Sequence, residues 1–359
     1  MKKYQKIYPH FLFNMKKYFF IAIIVVAVFI LVSSSEKILV TPQLATATSS
    51  WVEYRNNPII KYKDVLPDIL WNDPSVIKEG DTYKMWLSGG DPSADELEIK
   101  IYYAISRDGI NWSINKDPVL SPSEGTWDGA SIEVPTVLRV GNTYHMYYAA
   151  NNAKVYEANY SIGHATSNDG ISWTKDPNNP IIKPQPDPLK WGFYTTSEPA
   201  VAYFKNKFYL YYVSAKSNYP EPGSPFGIMV ATSKDGSTFT DNQIAHTLTP
   251  SYDSTKYRGY STPAAYVKNG VVYLYYQVVY DPDGWEPVAI SSAKSTDGIY
   301  FQEVETNIFT KGGGDWKDHS VGQPTVLQDG KSIKMWFAGQ TGTFGFSNFG
   351  YGIGYATKQ

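Results

Sequence analysis

The chain has 359 residues, 42% apolar, 18% charged and 16% aromatic, a composition that fits a folded protein with one large core or two domains and excludes general disorder. Thirty-two basic against 34 acidic residues leave a net charge of −2, and with no basic run beyond residue 17 nucleic acid is not an expected partner. The absence of cysteine excludes disulfides, thiolate metal sites and a cysteine nucleophile.

The first element in chain order is a hydrophobic segment. Lys2, Lys3, Lys6, Lys16 and Lys17 precede an unbroken apolar run from Tyr18 to Val32, and Ser33-Ser34-Ser35 follows. This is the layout of an export segment. The run is shorter than the roughly 20 residues that span a bilayer comfortably. A signal peptide cleaved after Ala45-Thr46-Ala47 is one reading; an uncleaved anchor with its lysines inside, which makes the membrane a partner, is the other. Both divide the chain into a leader of residues 1–47 and an extracytoplasmic domain of residues 48–359.

From residue 51 onward the chain repeats itself. Five short elements ending in proline each open an apolar stretch: Asn72-Asp73-Pro74, Glu133-Val134-Pro135, Ser197-Glu198-Pro199, Ser261-Thr262-Pro263 and Gly322-Gln323-Pro324, with prolines 61, 64, 64 and 61 residues apart. A polar turn then leads to an aromatic-rich run typical of strands, as in Tyr83-Lys84-Met85-Trp86 and Tyr209-Leu210-Tyr211-Tyr212. A third run ends in Ser-x-Asp-Gly at residues 106–109, 167–170, 233–236 and 295–298, a hairpin-turn signal. A fourth segment follows, clearest at Trp173 to Ile182. Four strands per repeat predict one propeller blade, so the expected fold is an all-β, five-bladed β-propeller. The fifth copy lacks its fourth segment, whereas Trp51 to Ile60 resembles it; the N-terminal strand is therefore expected to complete the last blade and close the ring.

In such a ring the innermost strands surround a central channel, and the residues before each proline face one mouth. Three carboxylates from three repeats, Asp73, Glu133 and Glu198, are thereby predicted to converge, while the aspartates that recur in Ser-x-Asp-Gly read as architecture. The loops before the prolines, with the pre-proline positions themselves, nominate Trp71, Asp128, Tyr194, Arg258, Tyr260, Thr262, His319 and Gln323 for substrate binding, with aromatics to stack on a ring-shaped ligand and Arg258 to hold a carboxylate or phosphate. Gly312-Gly313-Gly314 lacks the Lys-Ser/Thr of a phosphate loop, and there is no Gly-x-Ser-x-Gly.

The Asn72-Asp73-Pro74 start, the Glu133-Val134-Pro135 and Ser197-Glu198-Pro199 elements and the Tyr/Trp-rich second strands resemble the five-bladed-propeller glycoside hydrolases: arabinanases and β-xylosidases of family 43, invertase-like family 32 and mannoside phosphorylases of family 130. The resemblance implies cleavage of a glycosidic bond of an oligo- or polysaccharide. Asp73 would be the base or nucleophile, and Glu198 or Glu133 the acid, Glu198 being preferred. The remaining carboxylate would raise the acid's pKa. No cofactor is implied, and a structural cation in the central channel is compatible with the fold. The fourth repeat departs from the pattern, with Ser261-Thr262 where relatives can carry the acid. A non-catalytic sugar-binding propeller and a mannoside-type phosphorylase are the alternatives, and the sequence gives no oligomeric state.

Overall fold

The computed structural model describes residues 50–91, 98–152, 160–187, 189–193, 195–215, 226–247, 257–280, 286–312, 316–342 and 349–359. The proposed leader of residues 1–47, Tyr194 and the side chain of Arg258 lie outside the described residues. Thr48–Gln359 forms one compact unit, and among the described residues its regular structure is entirely β.

Each of the five repeats is an antiparallel up-and-down set. In the first, Leu70–Glu79, Thr82–Gly90, Lys100–Ser106 and Ser113–Ile114 pair in chain order. The second runs Ser131–Val140, Thr143–Asn151, Ser161–Ser167 and Thr174–Lys175. The third and fourth, opening at Thr196–Phe204 and Tyr257–Lys268, form one continuous sheet because Phe226 makes a parallel bridge to Gly259. That approach needs glycine: a Cβ at residue 259 would lie 2.1 Å from the Phe226 carbonyl oxygen.

The fifth repeat, Ser320–Asp329, Ser332–Thr341 and Gly350–Lys358, is completed from the other end of the domain. Trp51–Glu53 pairs with Lys358 to Ala356, and Ile60–Lys61 with Ile353 and Gly352. One side chain demonstrates that residues 51–61 stand in for the missing fourth segment. Asn57 accepts the Tyr355 amide at 2.8 Å and donates to the Tyr355 carbonyl at 3.0 Å, just as Asn179 in the second repeat grips the amide and carbonyl of His164 at 2.8 and 2.9 Å.

The core is distributed between neighbouring repeats. Trp86, Ile132, Val137 and Met146 pack the first against the second, and Tyr147, Val201, Phe208 and Leu210 the second against the third. Tyr211, Val230, Val272 and Leu274 join the third to the fourth, and Tyr275, Ile290, Val321 and Met335 the fourth to the fifth. Trp336, Ile353, Val76 and Met85 bring the fifth back to the first. The aromatic second strands thus serve packing.

The Ser-x-Asp-Gly turns link the same interfaces. In the second repeat, Ser167 Oγ accepts the Gly170 amide at 2.9 Å, and Asp169 Oδ1 accepts the amides of Ile171 and Ser172 at 2.8 and 2.7 Å. The freed Gly170 carbonyl accepts the indole N–H of Trp86 from the preceding repeat at 2.8 Å. Tyr147 to Gly236, Tyr211 to Gly298 and Trp336 to Gly109 repeat the contact. The motif is therefore both a turn and an inter-repeat fastener.

Candidate active site

All five first strands carry the same irregularity just before the proline. The register shifts between Asn72 and Ser75, Glu133 and Thr136, Ser197 and Ala200, Ser261 and Ala264, and Gly322 and Thr325. At each shift the pre-proline residue is left-handed, with φ of 48° at Asp73, 50° at Val134, 52° at Glu198, 39° at Thr262 and 51° at Gln323. Neither a pre-proline position nor a β-branched residue favours this conformation. Five bulges of this kind re-aim five side chains. Residues from all five elements line one narrow channel of about 60 Å³, Asp73, Val134, Thr262 and Gln323 among them. That volume holds a few waters and is too small for a sugar ring.

The three carboxylates named from sequence do converge on one electrostatic site. Asp73 is 4% exposed. Burial, followed by the charge of Glu133 and then that of Glu198, lifts its carboxyl to about 8, against the pull of Ser88 and the Val134 amide. Burial, reinforced by Glu133, lifts Glu198 to about 7 although its Oε2 accepts the Thr262 amide at 2.7 Å. Burial also raises Glu133, opposed by Tyr160. Buried carboxyl groups that feel one another's charge resist ionising together, so the site favours keeping protons.

Thr262 Oγ1 and Asp73 Oδ1 are buried without a hydrogen-bond partner. They are the oxygens a channel water or cation would use. Among the described residues no three His, Cys, Asp or Glu side chains are grouped to hold a metal ion.

Three expected mouth residues belong to the packing instead. Trp71 is fully buried, with its indole N–H donating to the Asp64 carbonyl at 2.7 Å and its ring edge-on to Tyr102. Asp128, 1% exposed, pairs with Lys175 at 2.6 Å and accepts from Thr126. Tyr260 is buried, stacked on His246 at 4.6 Å. In all three the side chain is engaged by partners beside its own strand entry and does not line the channel. His319 is half-buried, its amide donates to Gln340, and it does not line the channel.

Four residues escaped the sequence reading. Ser88 accepts the Val134 amide at 3.0 Å and acts on Asp73. Tyr160 faces Glu133, and Tyr351 meets both Asn72 and Gln323 at 2.9 Å. Gln277 donates to Ser261 Oγ at 2.9 Å and fills the space that a side chain at Gly322 would need, since a Cβ there would lie 1.7 Å from its Oε1. Ser88 and Gln277 were within reach. They pair with the residues two before the proline, opposite Asn72 and Ser261, and differ from Ala149, Val213 and Ala338 at the corresponding positions.

Comparison with known proteins bears on the fold. The family model of the glycosyl hydrolases family 32 N-terminal domain matches residues 136–259. An uncharacterized protein of Mycobacterium tuberculosis is 36% identical over 117 residues, 32% of this chain and 37% of that protein. The β-1,2-mannobiose phosphorylase of Thermoanaerobacter sp. is 28% identical over 110 residues, 28% of this chain and 35% of the enzyme. These matches therefore span little more than a third of the curated relatives. Likeness of fold extends further: the β-1,2-mannobiose phosphorylase of Listeria innocua superposes with a TM-score of 0.63 at 16% identity, covering 86% of this chain and 96% of the enzyme. A glycosyl hydrolase of Bacteroides ovatus gives 0.61 at 15% identity, covering 86% and 94%. The fold is that of the propeller-type glycoside hydrolases and phosphorylases.

Proposed function

We propose that residues 48–359 form a closed five-bladed propeller that cleaves glycosidic bonds of oligo- or polysaccharides at its central mouth. The observation that carries this reading is the carboxylate trio, three acids from three successive repeats with raised pKa values in one site. Glu198, near 7, is matched to holding a proton and giving it to a leaving oxygen at neutral pH. Asp73 acts as base or nucleophile. It is mostly protonated in the empty site, and the positive charge that develops on the sugar favours its ionised form. Glu133 tunes both.

The partial identity to a β-1,2-mannobiose phosphorylase makes β-1,2-mannosides the first substrates to try, and phosphate the alternative acceptor to water. The experiment is to incubate the purified domain with β-1,2-mannobiose and with arabino- and xylo-oligosaccharides, with and without inorganic phosphate. Free sugar released without phosphate supports hydrolysis, and sugar 1-phosphate supports phosphorolysis. No cleavage of any saccharide rejects the enzymatic reading. Export by residues 1–47 belongs to the same proposal and is tested by fusing them to a reporter that is active only outside the cytoplasm.

A further inference from the structure

Two amide side chains at the mouth take no part in the carboxylate chemistry. Asn72 immediately precedes Asp73, and Gln323 is the fifth repeat's counterpart of Asp73 and lines the same channel. Both meet one phenol, the Tyr351 hydroxyl lying 2.9 Å from Asn72 Oδ1 and 2.9 Å from Gln323 Oε1. Tyr351 comes from Gly350–Lys358, the third strand of the fifth repeat, so the three side chains meet where the last repeat abuts the first. Neither amide makes another hydrogen bond among the described residues.

We propose that Asn72 and Gln323, positioned by Tyr351, read a pair of adjacent hydroxyls on the bound sugar and so determine specificity. The proposal rests on the saccharide-binding reading above. A phenol has a single hydrogen. It donates to one amide carbonyl and meets the other amide by accepting from its NH₂. Each amide thus has one end fixed on Tyr351, and the opposite ends, one NH₂ and one carbonyl, are left for a ligand. Because both amides are anchored on the same oxygen, this donor and acceptor are held on either side of one phenol, within reach of a single sugar ring. That is the polarity of neighbouring ring hydroxyls, one accepting and one donating. The left-handed backbone at Gln323 limits the directions its amide can take, which favours a fixed reader over an adaptable one.

The test compares wild type, Tyr351→Phe and Gln323→Met by calorimetric binding and by steady-state kinetics, with β-1,2-mannobiose and its singly deoxygenated analogues as probes. Tyr351→Phe keeps the ring and removes the hydroxyl. Its binding or KM should weaken about tenfold with kcat within about twofold, and its discrimination against one deoxy analogue should disappear. A Tyr351 that only packs the fold would lower Tm and leave that discrimination intact. If Tyr351→Phe does not fold, Gln323→Met should lose the same discrimination. Wild-type affinity and discrimination in the variants overturn the proposal alone. A wild type that binds no saccharide overturns the underlying reading and the proposal with it.

Discussion

The turn aspartates and the mouth carboxylates are the same chemistry in opposite surroundings. Asp108, Asp169, Asp235 and Asp297 are held below the usual carboxylate range. In Asp169 and Asp235 the backbone amides that they accept dominate. In Asp108 and Asp297 burial works the other way, and the amides outweigh it. Asp73, Glu133 and Glu198 are pushed up, burial being the largest cause in each, and Asp73 keeps a buried oxygen with no partner. A carboxylate that repeats is paired by its own turn and stabilises the fold. A carboxylate that breaks the repeat is buried with too few donors to offset that burial, at a cost in stability that a binding site can use.

The largest effect that would break this contrast is on turnover. Asp73→Ala and Glu198→Gln should each lower kcat by about 10²- to 10⁴-fold, whereas Asp169→Ala should leave kcat within about twofold and lower stability by about 1 kcal/mol. Steady-state rates and thermal melts on the three variants separate the two classes; equal losses of activity would dissolve the distinction.

A pH profile sharpens it. One acid near 7 and one near 8 predict a bell in kcat/KM whose optimum lies between about pH 7 and pH 8, far above what a pair of ordinary carboxyls would give. An optimum near pH 5 would refute the raised pair.

Stability should respond to the same protons. The folded chain binds the Asp73 proton more tightly than the unfolded chain, so this group's favourable contribution is complete below about pH 4 and is lost as pH rises through about 8. Asp73→Asn, which stays neutral, should melt higher than wild type at pH 8, with the gap closing towards pH 4. For a turn aspartate the sign is reversed: its contribution is present at neutral pH and lost on acidification, so Asp169→Asn should melt lower at pH 8.

The smallest expected effect is at Ser88, which pulls the Asp73 carboxyl down. Ser88→Ala should move the alkaline side of the rate profile to higher pH, and Ser88→Thr, which restores a hydroxyl, should move it back.

Much of this architecture can be read directly from the residues. Proline spacing, aromatic second strands and Ser-x-Asp-Gly are local signals repeated often enough to reinforce one another, and Asn57-Pro58-Ile59-Ile60 matches Asn179-Pro180-Ile181-Ile182 closely enough to anticipate the pairing with residues 352–358. Convergence of Asp73, Glu133 and Glu198 was legible because all three lie just before the repeated proline at the start of a first strand. Trp71, Asp128 and Tyr260 were misjudged because sequence gives a residue's position along a strand entry but not which way its side chain turns. Tyr351 was invisible for a different reason. It acts across the seam between the first and last repeats, and no local pattern announces such a contact.

The pairing of Trp51–Glu53 with Ala356–Lys358 bears on how the protein is made. Two strands some 300 residues apart in sequence share one edge, so the earliest strand of the domain to be synthesised waits for the last. The interfaces between the first four repeats can pack while synthesis continues, but the seam cannot close until residues 350–358 are free. Until then the open edges of the first and fifth repeats are exposed together, which is when this chain is most open to wrong pairing with a neighbour.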